Sequence, residues 1–167
     1  MRLLLAAAIA SLFGANACAA ATSPVDAMHS IIFDDCVRVL EKPASIDDSA
    51  AMSALGYTLA QPDDEGLWAS KTLGQGVVRI GVGPGKPGCR VRYSGPDSTA
   101  LYETLLANLL KDGFVFPDGA RKPAEAQFVM DTLVQEKGSI GVISMFRMNS
   151  PDSADFAVTI FPSFPVQ

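Results

Sequence analysis

The clearest alternation of apolar and polar positions lies in residues 77–93 and predicts a β-hairpin. Successive side chains of a strand point to opposite faces, so opposing Gly83 and Gly88 across the turn sorts the segment into two sets. Because a slip of one residue would mix the two sets, the register is well specified. One face is apolar and the other is cationic, with Arg79, Arg90 and Arg92. The apolar face, which we expect to be buried, consists of Val78, Ile80, Val82, Cys89, Val91 and Tyr93.

Three stretches have apolar residues at helical spacing. Ser23-Pro24 is typical of a helix start, and an apolar stripe that includes Met28, Ile32 and Cys36 continues to the helix end near residues 42–43. A short helix is predicted next, with Ser45 as its N-cap and Gly56 just past its end. The strongest helical pattern covers residues 98–111, where Leu101, Leu105 and Leu109 form the stripe.

The remaining patterns predict strands. Residues 67–73 read as one strand, and residues 127–135, 140–148 and 155–161 read as three more. Alternation is poor in the last three, so this half of the sheet is either covered on both faces or meets a partner. A helix over residues 124–136 is the alternative for the first of them. Two blocks of three strands flanking the long helix hint at a duplicated βββ unit. The predicted fold class is α+β, a mainly antiparallel sheet of about six strands packed by two to three helices.

Residues 1–20 have the pattern of a secretory signal peptide. Arg2 is followed by an apolar run over residues 3–13, and residues 17–19 (Ala-Cys-Ala) give the small-x-small pattern before a cleavage site. The run is too short to span a bilayer as a helix. We therefore expect a single α+β domain, residues 21–167, that is periplasmic or secreted, without a transmembrane segment in the mature chain. Lipidation of Cys18 after cleavage just before it, giving an anchored lipoprotein, is the alternative.

Cleavage leaves Cys36 and Cys89, and two cysteines in an exported chain are most simply a disulfide. Free thiols and a metal site are the alternatives, but no Cys/His spacing nearby supports a metal. Loss of Arg2 lowers the net charge from −5 to −6, which disfavours nucleic acid as a partner. A basic protein or a small anionic ligand remains a candidate partner, whereas the negative charge can also serve only to keep the protein soluble.

The three arginines are the one constellation that suggests a binding site. Arg79, Arg90 and Arg92 on a single sheet face could hold a carboxylate or phosphate by bidentate hydrogen bonds. The competing interpretation is a solvent-facing sheet surface whose charge is balanced by acidic neighbours.

Catalytic and metal-binding patterns are weak. His29 is the only histidine, and no nucleophile motif accompanies it. The neighbouring carboxylates Asp34-Asp35 and Asp47-Asp48 are typical of caps and solvated surfaces. Met145 and Met148 have a Met-x-x-Met spacing, but residues three apart in a strand point to opposite faces, which favours core packing over copper binding. No cofactor or metal is predicted.

An early helical cysteine (Cys36), a strand with Trp68 and a Gly-Cys strand at Gly88-Cys89, after a short signal, resemble small uncharacterised exported (periplasmic) proteins of Gram-negative bacteria. That resemblance implies export and no particular activity. Ser94-Gly95 is also similar to the Ser-Gly-x-x-Tyr loop of periplasmic lysozyme inhibitors, although Ser98 stands where the tyrosine should be.

The expected function is a non-enzymatic binding or interaction module of the periplasm, because the catalytic constellations are missing. A periplasmic hydrolase with an unrecognised active site is one alternative. An inhibitor of a basic cell-wall-degrading enzyme is the other.

Overall fold

The computed structural model describes residues 22–42, 46–60, 62, 64, 66–83, 88–125, 127–138, 140–150 and 154–163. The predicted signal peptide, Cys18 and Ser45 lie outside the described residues. The helical elements, in chain order, are α1 (Pro24–Ser30), a π-helical turn (Ile31–Asp35), α2 (Cys36–Glu41), α3 (Ser49–Ala54) and α4 (Ser98–Lys111). The strands are β1 (Thr58–Leu59), β2 (Leu67–Leu73), β3 (Gly76–Val82), β4 (Cys89–Ser94), β5 (Phe128–Val134), β6 (Ile140–Met148) and β7 (Asp155–Pro162).

The strands form a single antiparallel sheet in the order β1-β2-β3-β4-β7-β6-β5. Strands β2 to β4 and β5 to β7 are two meanders that meet where β4 pairs with β7. Apart from the edge strand β1, the strand order is symmetric about that pairing. The α+β class is confirmed, and the strand count is seven instead of about six because β1 adds a two-residue strand at one edge.

The predicted hairpin register is confirmed residue by residue. Val78 pairs with Tyr93, Ile80 with Val91, and Val82 with Cys89. The face that carries these residues is the core face, and its apolar side chains continue across β7, β6 and β5. The buried members contributed by those three strands are Phe156, Val158, Ile160, Ile140, Ile143, Met145, Val129 and Leu133. Residues 128–134 form a strand, so the helical alternative for residues 124–136 is wrong.

Helices cover the core face over the middle of the sheet. The helix α2 packs on β4, α4 packs on β7, and α1 packs against α4. The predicted disulfide is present, joining Cys36 at the start of α2 to Cys89 at the start of β4 with their Cα atoms 5.6 Å apart. Both cysteines are fully buried. The bridge therefore fastens the first helical segment to the centre of the sheet.

The first helical segment begins as predicted and then departs from a regular α-helix. The Ser23 hydroxyl accepts a hydrogen bond from the backbone N–H of Asp26, and Pro24 occupies the first helical position. Between α1 and α2 the backbone widens into the π-helical turn, which ends at the buried Asp35. Sequence periodicity did not predict this turn.

The short helix α3 is capped by Asp48. Its carboxylate accepts hydrogen bonds from the backbone N–H groups of Ala50 and Ala51. Asp48 therefore holds the N-cap position that the sequence analysis assigned to Ser45. Gly56 follows the helix with a φ of 80°, in the left-handed region that glycine adopts readily. Among the described residues, no helix combines the length and hydrophobicity needed to cross a membrane.

Candidate functional site

The three arginines share the face of the sheet opposite the core. Arg79 pairs directly with Arg92 across β3 and β4. Arg90 pairs with Gly81, two residues further along the two strands. Each therefore alternates with the buried residues of its strand. We call the surface formed by Arg79, Arg90 and Arg92 the arginine face. The structure brings together all three residues that the sequence singled out.

Trp68, the sole tryptophan, lies on the same side of the sheet and beneath two of the arginines. Its position opposite Gly81 places it on the outer face of β2. The guanidinium carbon of Arg90 is 4.7 Å from the centroid of the indole ring, and that of Arg92 is 5.3 Å away. Although it lies outside the core, Trp68 is only 4% exposed. The two guanidiniums thus form cation–π contacts, worth about 0.5–2 kcal/mol each depending on desolvation.

Gly81 makes this arrangement possible. A Cβ atom at this position would lie 2.6 Å from Cε3 of Trp68, well inside van der Waals contact. Glycine is therefore needed for the indole to lie flat on the strand. The alternation of Leu67, Ala69 and Leu73 in β2 is the sequence signal that could have placed Trp68 on the outer face.

The three guanidiniums differ in their surroundings. Arg90 and Arg92 each have a further interaction within the chain besides Trp68, so neither is free. Arg79 is exposed and has no hydrogen bond or ion pair with any residue that the structure describes. Because Arg79 and Arg92 are direct cross-strand neighbours, their like charges repel each other. An anion bound between them would relieve this repulsion and accept hydrogen bonds from both.

A cavity of about 390 Å³ lies on the outer side of the sheet beside the arginines. Arg79 and Arg92 line one side of it, and Phe146 and Met148 line the other. Ala157 of β7 pairs with Arg92 on one side and with Phe146 on the other, so the smallest side chain stands in the middle of the row. The cavity therefore forms above the small side chain of Ala157 in β7.

The far side of this surface is apolar. Phe146 is 38% exposed, Met130 52% and Met148 48%. The rings of Phe128 and Phe146 lie 5.6 Å apart at their centroids. These four residues point away from the core, and we call them the apolar patch. The poor alternation predicted for the last three strands thus arises from apolar residues on both faces, and the outer ones are accessible.

A charged network that the sequence did not reveal lies at the core side of β5. Asp131 is only 1% exposed, and its carboxylate accepts hydrogen bonds from the Tyr102 hydroxyl at 2.8 Å and from the Arg121 guanidinium at 2.7–3.1 Å. Arg121 also donates to Glu103 at 2.9 and 3.1 Å. Arg147, which follows on β6, lies 3.4 Å from the Glu103 carboxylate and 5.4 Å from the Tyr102 ring.

The charges of this network are paired with one another, although Nε of Arg147 is buried without a hydrogen-bond partner in the described part of the chain. The hydrogen bonds from Arg121 hold the pKa of Glu103 below its ordinary value. Burial, and then the hydrogen bond to Asp131, raise the pKa of Tyr102. Since every charge has a partner of opposite sign, the network serves to anchor the loop that contains Arg121 against α4 and β5. No single sequence motif predicts it, because its members come from four separate parts of the chain: α4, the loop that contains Arg121, β5 and β6.

A second buried carboxylate lies at the π-helical turn. Asp35 accepts a hydrogen bond from the Tyr57 hydroxyl at 2.8 Å and forms an ion pair with Lys71 of β2 at 2.9 Å. The Lys71 ammonium also lies 4.1 Å from the centroid of the Tyr57 ring. Burial and the charge of Asp35 raise the pKa of Tyr57. π-Helical turns occur often at functional sites, yet here both donors contact Oδ2 of Asp35, so the carboxylate has a structural role in joining the turn to Tyr57 and Lys71.

His29 lies on the opposite side of the molecule from the arginine face. Its Nε2 is 2.8 Å from a carboxylate oxygen of Asp112, and both side chains are well exposed, at 38% and 44%. The ring stacks on Phe33 at 4.3 Å. The described residues that line the shallow hollow there are Asp26, His29, Asn108, Lys111 and Asp112, which include no serine or cysteine nucleophile.

The methionine pair does not form a copper site. Met145 is fully buried in the core, whereas Met148 is exposed on the outer face. The core role predicted for both is therefore correct for Met145 and wrong for Met148. Within the described ranges, no group of three or more His, Cys, Asp or Glu side chains is arranged to hold a metal ion.

No protein-family model, curated protein or solved structure matches the chain. The function is therefore inferred from the geometry and charge of the molecule itself.

Proposed function

We propose that this protein is an exported, periplasmic binding module without enzymatic activity, and that it holds an anionic group on the arginine face. The observation that carries the proposal is the exposed Arg79 guanidinium. It stands beside Arg92 at the rim of a cavity and has no hydrogen-bonding or ionic partner among the described residues. A guanidinium offers its donors in a planar fork that matches a carboxylate or phosphate.

The charge distribution supports the same function. The chain as a whole is acidic, with a net charge of −5, whereas three of its thirteen cationic side chains share this one face. The local positive field of the arginine face attracts small anions, whereas the acidic remainder of the molecule repels them. Arg90 and Arg92 are additionally positioned by the Trp68 ring, which limits the conformational entropy lost when a ligand binds.

The two alternatives have less support. A hydrolase built around His29 would need a nucleophile beside the imidazole, and the other described residues that line the hollow there present only carboxylate, amide and ammonium groups. An inhibitor of a basic cell-wall-degrading enzyme would need an acidic docking surface. The arginine face would repel such an enzyme, so the enzyme would have to dock elsewhere on the molecule.

The binding proposal is tested by calorimetric titration with benzoate and benzylammonium, which share a ring and differ in charge. We expect saturable binding of benzoate and none of benzylammonium. The double variant Arg79→Ala/Arg92→Ala should abolish benzoate binding and leave the circular-dichroism spectrum unchanged. The matched control is Arg38→Ala/Lys111→Ala, which removes two exposed cations from the helical side and should bind benzoate like the wild type. Equal binding by the two double variants would refute the proposal.

The export proposal is tested by mass spectrometry of the protein recovered from the periplasm. We expect a new N-terminus at or near Ala20 or Ala21 and no lipid. A diacylated N-terminal Cys18 would instead establish a lipoprotein.

A further inference from the structure

The cavity beside the arginine face has two chemically different walls. One wall carries the cations Arg79 and Arg92, and the other is the part of the apolar patch formed by Phe146 and Met148. From this juxtaposition we propose that the ligand is a small amphipathic molecule with a single anionic group, a carboxylate or a phosphate, on an apolar body. This inference deepens the proposed function and rests on it.

The size of the cavity favours a small molecule. Its volume of about 390 Å³ lies within the roughly 300–1,000 Å³ of small-molecule sites. Arg92 and Phe146 are in one cross-strand row, separated by β7 with Ala157 between them. Two strand spacings set the distance between the cationic and apolar walls at roughly 10 Å. A ligand with its charge at one end and an apolar body of about that length would contact both walls.

The apolar wall is unusual for this molecule. The described residues include six large apolar side chains that are exposed, and four of them lie on the outer face of the sheet: Val77, Met130, Phe146 and Met148. The other two, Leu110 and Val115, lie on α4 and on the loop after it. Exposed apolar side chains that cluster next to a cavity favour burial of an apolar ligand surface. Methionine adapts well to ligands of different shape.

One acidic group restricts the charge of the ligand. Asp155 pairs with Ser94 at the end of the cavity and contributes to its lining. A second negative charge on the ligand would meet this carboxylate if it extended toward that end. The lining also contains Arg147, which is paired with Glu103. We therefore expect the anionic group at Arg79 and Arg92 and an uncharged part of the ligand at the end where Asp155 lies.

The test is calorimetric titration with decanoate, acetate and decylammonium. Decanoate has the charge of acetate and the apolar chain of decylammonium. Comparing the three ligands therefore distinguishes the contribution of the cationic wall from that of the apolar wall. We expect decanoate to bind more than tenfold tighter than acetate, since burial of two methylene groups already gives that factor. Decylammonium should show no saturable binding, because its charge is repelled by both arginines.

Three variants locate the binding site. Phe146→Ser/Met148→Ser should weaken the binding of decanoate at least tenfold. This variant should still bind benzoate, and adding Arg79→Ala/Arg92→Ala should abolish that binding. Ala157→Leu should also weaken decanoate by filling the hollow between the walls, without disturbing the core, because Ala157 faces outward. The matched control is Leu110→Ser/Val115→Ser, which removes two exposed apolar side chains elsewhere and should bind decanoate like the wild type.

The outcomes separate this inference from the proposed function. If benzoate binds through the arginines but decanoate is no tighter than acetate, the amphipathic ligand is refuted and the anion site stands. If none of the anions binds, both fail. Decanoate binding that survives all the outer-face variants, or that decylammonium reproduces, would place the apolar contact elsewhere and overturn the inference.

Discussion

The guanidinium of Arg90 covers the indole ring of Trp68, with 4.7 Å between the guanidinium carbon and the ring centroid. This contact lies on the outer side of the sheet, and it explains why a tryptophan outside the core is only 4% exposed. Arg90→Ala should therefore uncover the ring. We expect red-shifted tryptophan emission and stronger quenching by acrylamide. Because the chain has one tryptophan, the signal comes from this residue alone.

Arg79→Ala is the control for that experiment. Arg79 belongs to the same face and forms no contact with the indole among those that the structure gives for described residues. The tryptophan emission spectrum of the Arg79→Ala variant should match that of the wild type. A red shift of equal size in both variants would mean that general loosening of the sheet, and not loss of the ring contact, causes the change.

The bridge between Cys36 and Cys89 closes a loop with a sequence separation of 53. In the chain-entropy model, closing a loop of that length stabilises the fold by about 4 kcal/mol. Cys36→Ala/Cys89→Ala should therefore lower the urea midpoint clearly. The opposite result, wild-type stability in this variant or two free thiols in the exported protein, would refute the structural role of the bridge.

Arg121 is expected to stabilise the fold by compensating the buried charge of Asp131. In Arg121→Met, Asp131 would keep only the Tyr102 hydroxyl, and we expect a loss of about 3 kcal/mol of unfolding free energy. Lys122→Met is the matched control, because Lys122 pairs only with exposed Asp118 at 3.4 Å and should change stability by less than about 0.5 kcal/mol. Similar urea midpoints for the two variants would show that Asp131 does not depend on Arg121.

The three tyrosines predict an alkaline transition. Burial raises the pKa of Tyr57, Tyr93 and Tyr102 above the ordinary value of 10.0, and nearby carboxylates add to the effect. In the unfolded chain they ionise near that ordinary value. Their contribution to stability is therefore complete below pH 10 and is lost as the pH rises above 10 toward the folded values.

Phenolate absorbance followed with pH checks this prediction. We expect ionisation of Tyr57 and Tyr102, whose pKa values are raised most, to coincide with unfolding seen by circular dichroism, as one cooperative step. Ordinary titration of a tyrosine near pH 10 in the folded protein would contradict the burial of that hydroxyl.

The sequence predicts this fold best where one strand face is apolar and the other is polar. In β3 and β4 the alternation specifies the register, so Arg79 and Arg92 could be placed opposite each other without a structure. The same placement of Cys89 on the core face, with Cys36 in a helical apolar stripe, predicts the disulfide. Local periodicity is sufficient in both cases because the buried face decides the register.

Long-range pairing is what the sequence does not specify. The contact of β4 with β7 joins residues 61 to 71 positions apart, from the Ser94–Asp155 pair to the Cys89–Ile160 pair, and no local pattern requires it. The cavity depends on this pairing, because it brings Ala157 between Arg92 and Phe146. The sequence therefore indicated the cationic half of the candidate site, whereas its apolar half followed only from the strand order.

Buried polar groups escape prediction for a related reason. Asp131 occupies a core-facing position of β5, where the alternation of apolar and polar residues predicts an apolar side chain. Its partners, Tyr102 and Arg121, come from α4 and from the loop before β5. Only the three-dimensional arrangement shows that the charge is compensated.

The most direct test of the anion site is a map of amide chemical-shift changes in ¹⁵N-labelled protein titrated with benzoate. The largest changes should lie along the outer row of the sheet, at Arg79, Arg92 and Ala157, and should saturate with one dissociation constant. They should disappear in Arg79→Ala/Arg92→Ala. Changes confined to the helices around His29, or no saturable changes on β3, β4 and β7, would contradict the assignment of the arginine face as the binding site.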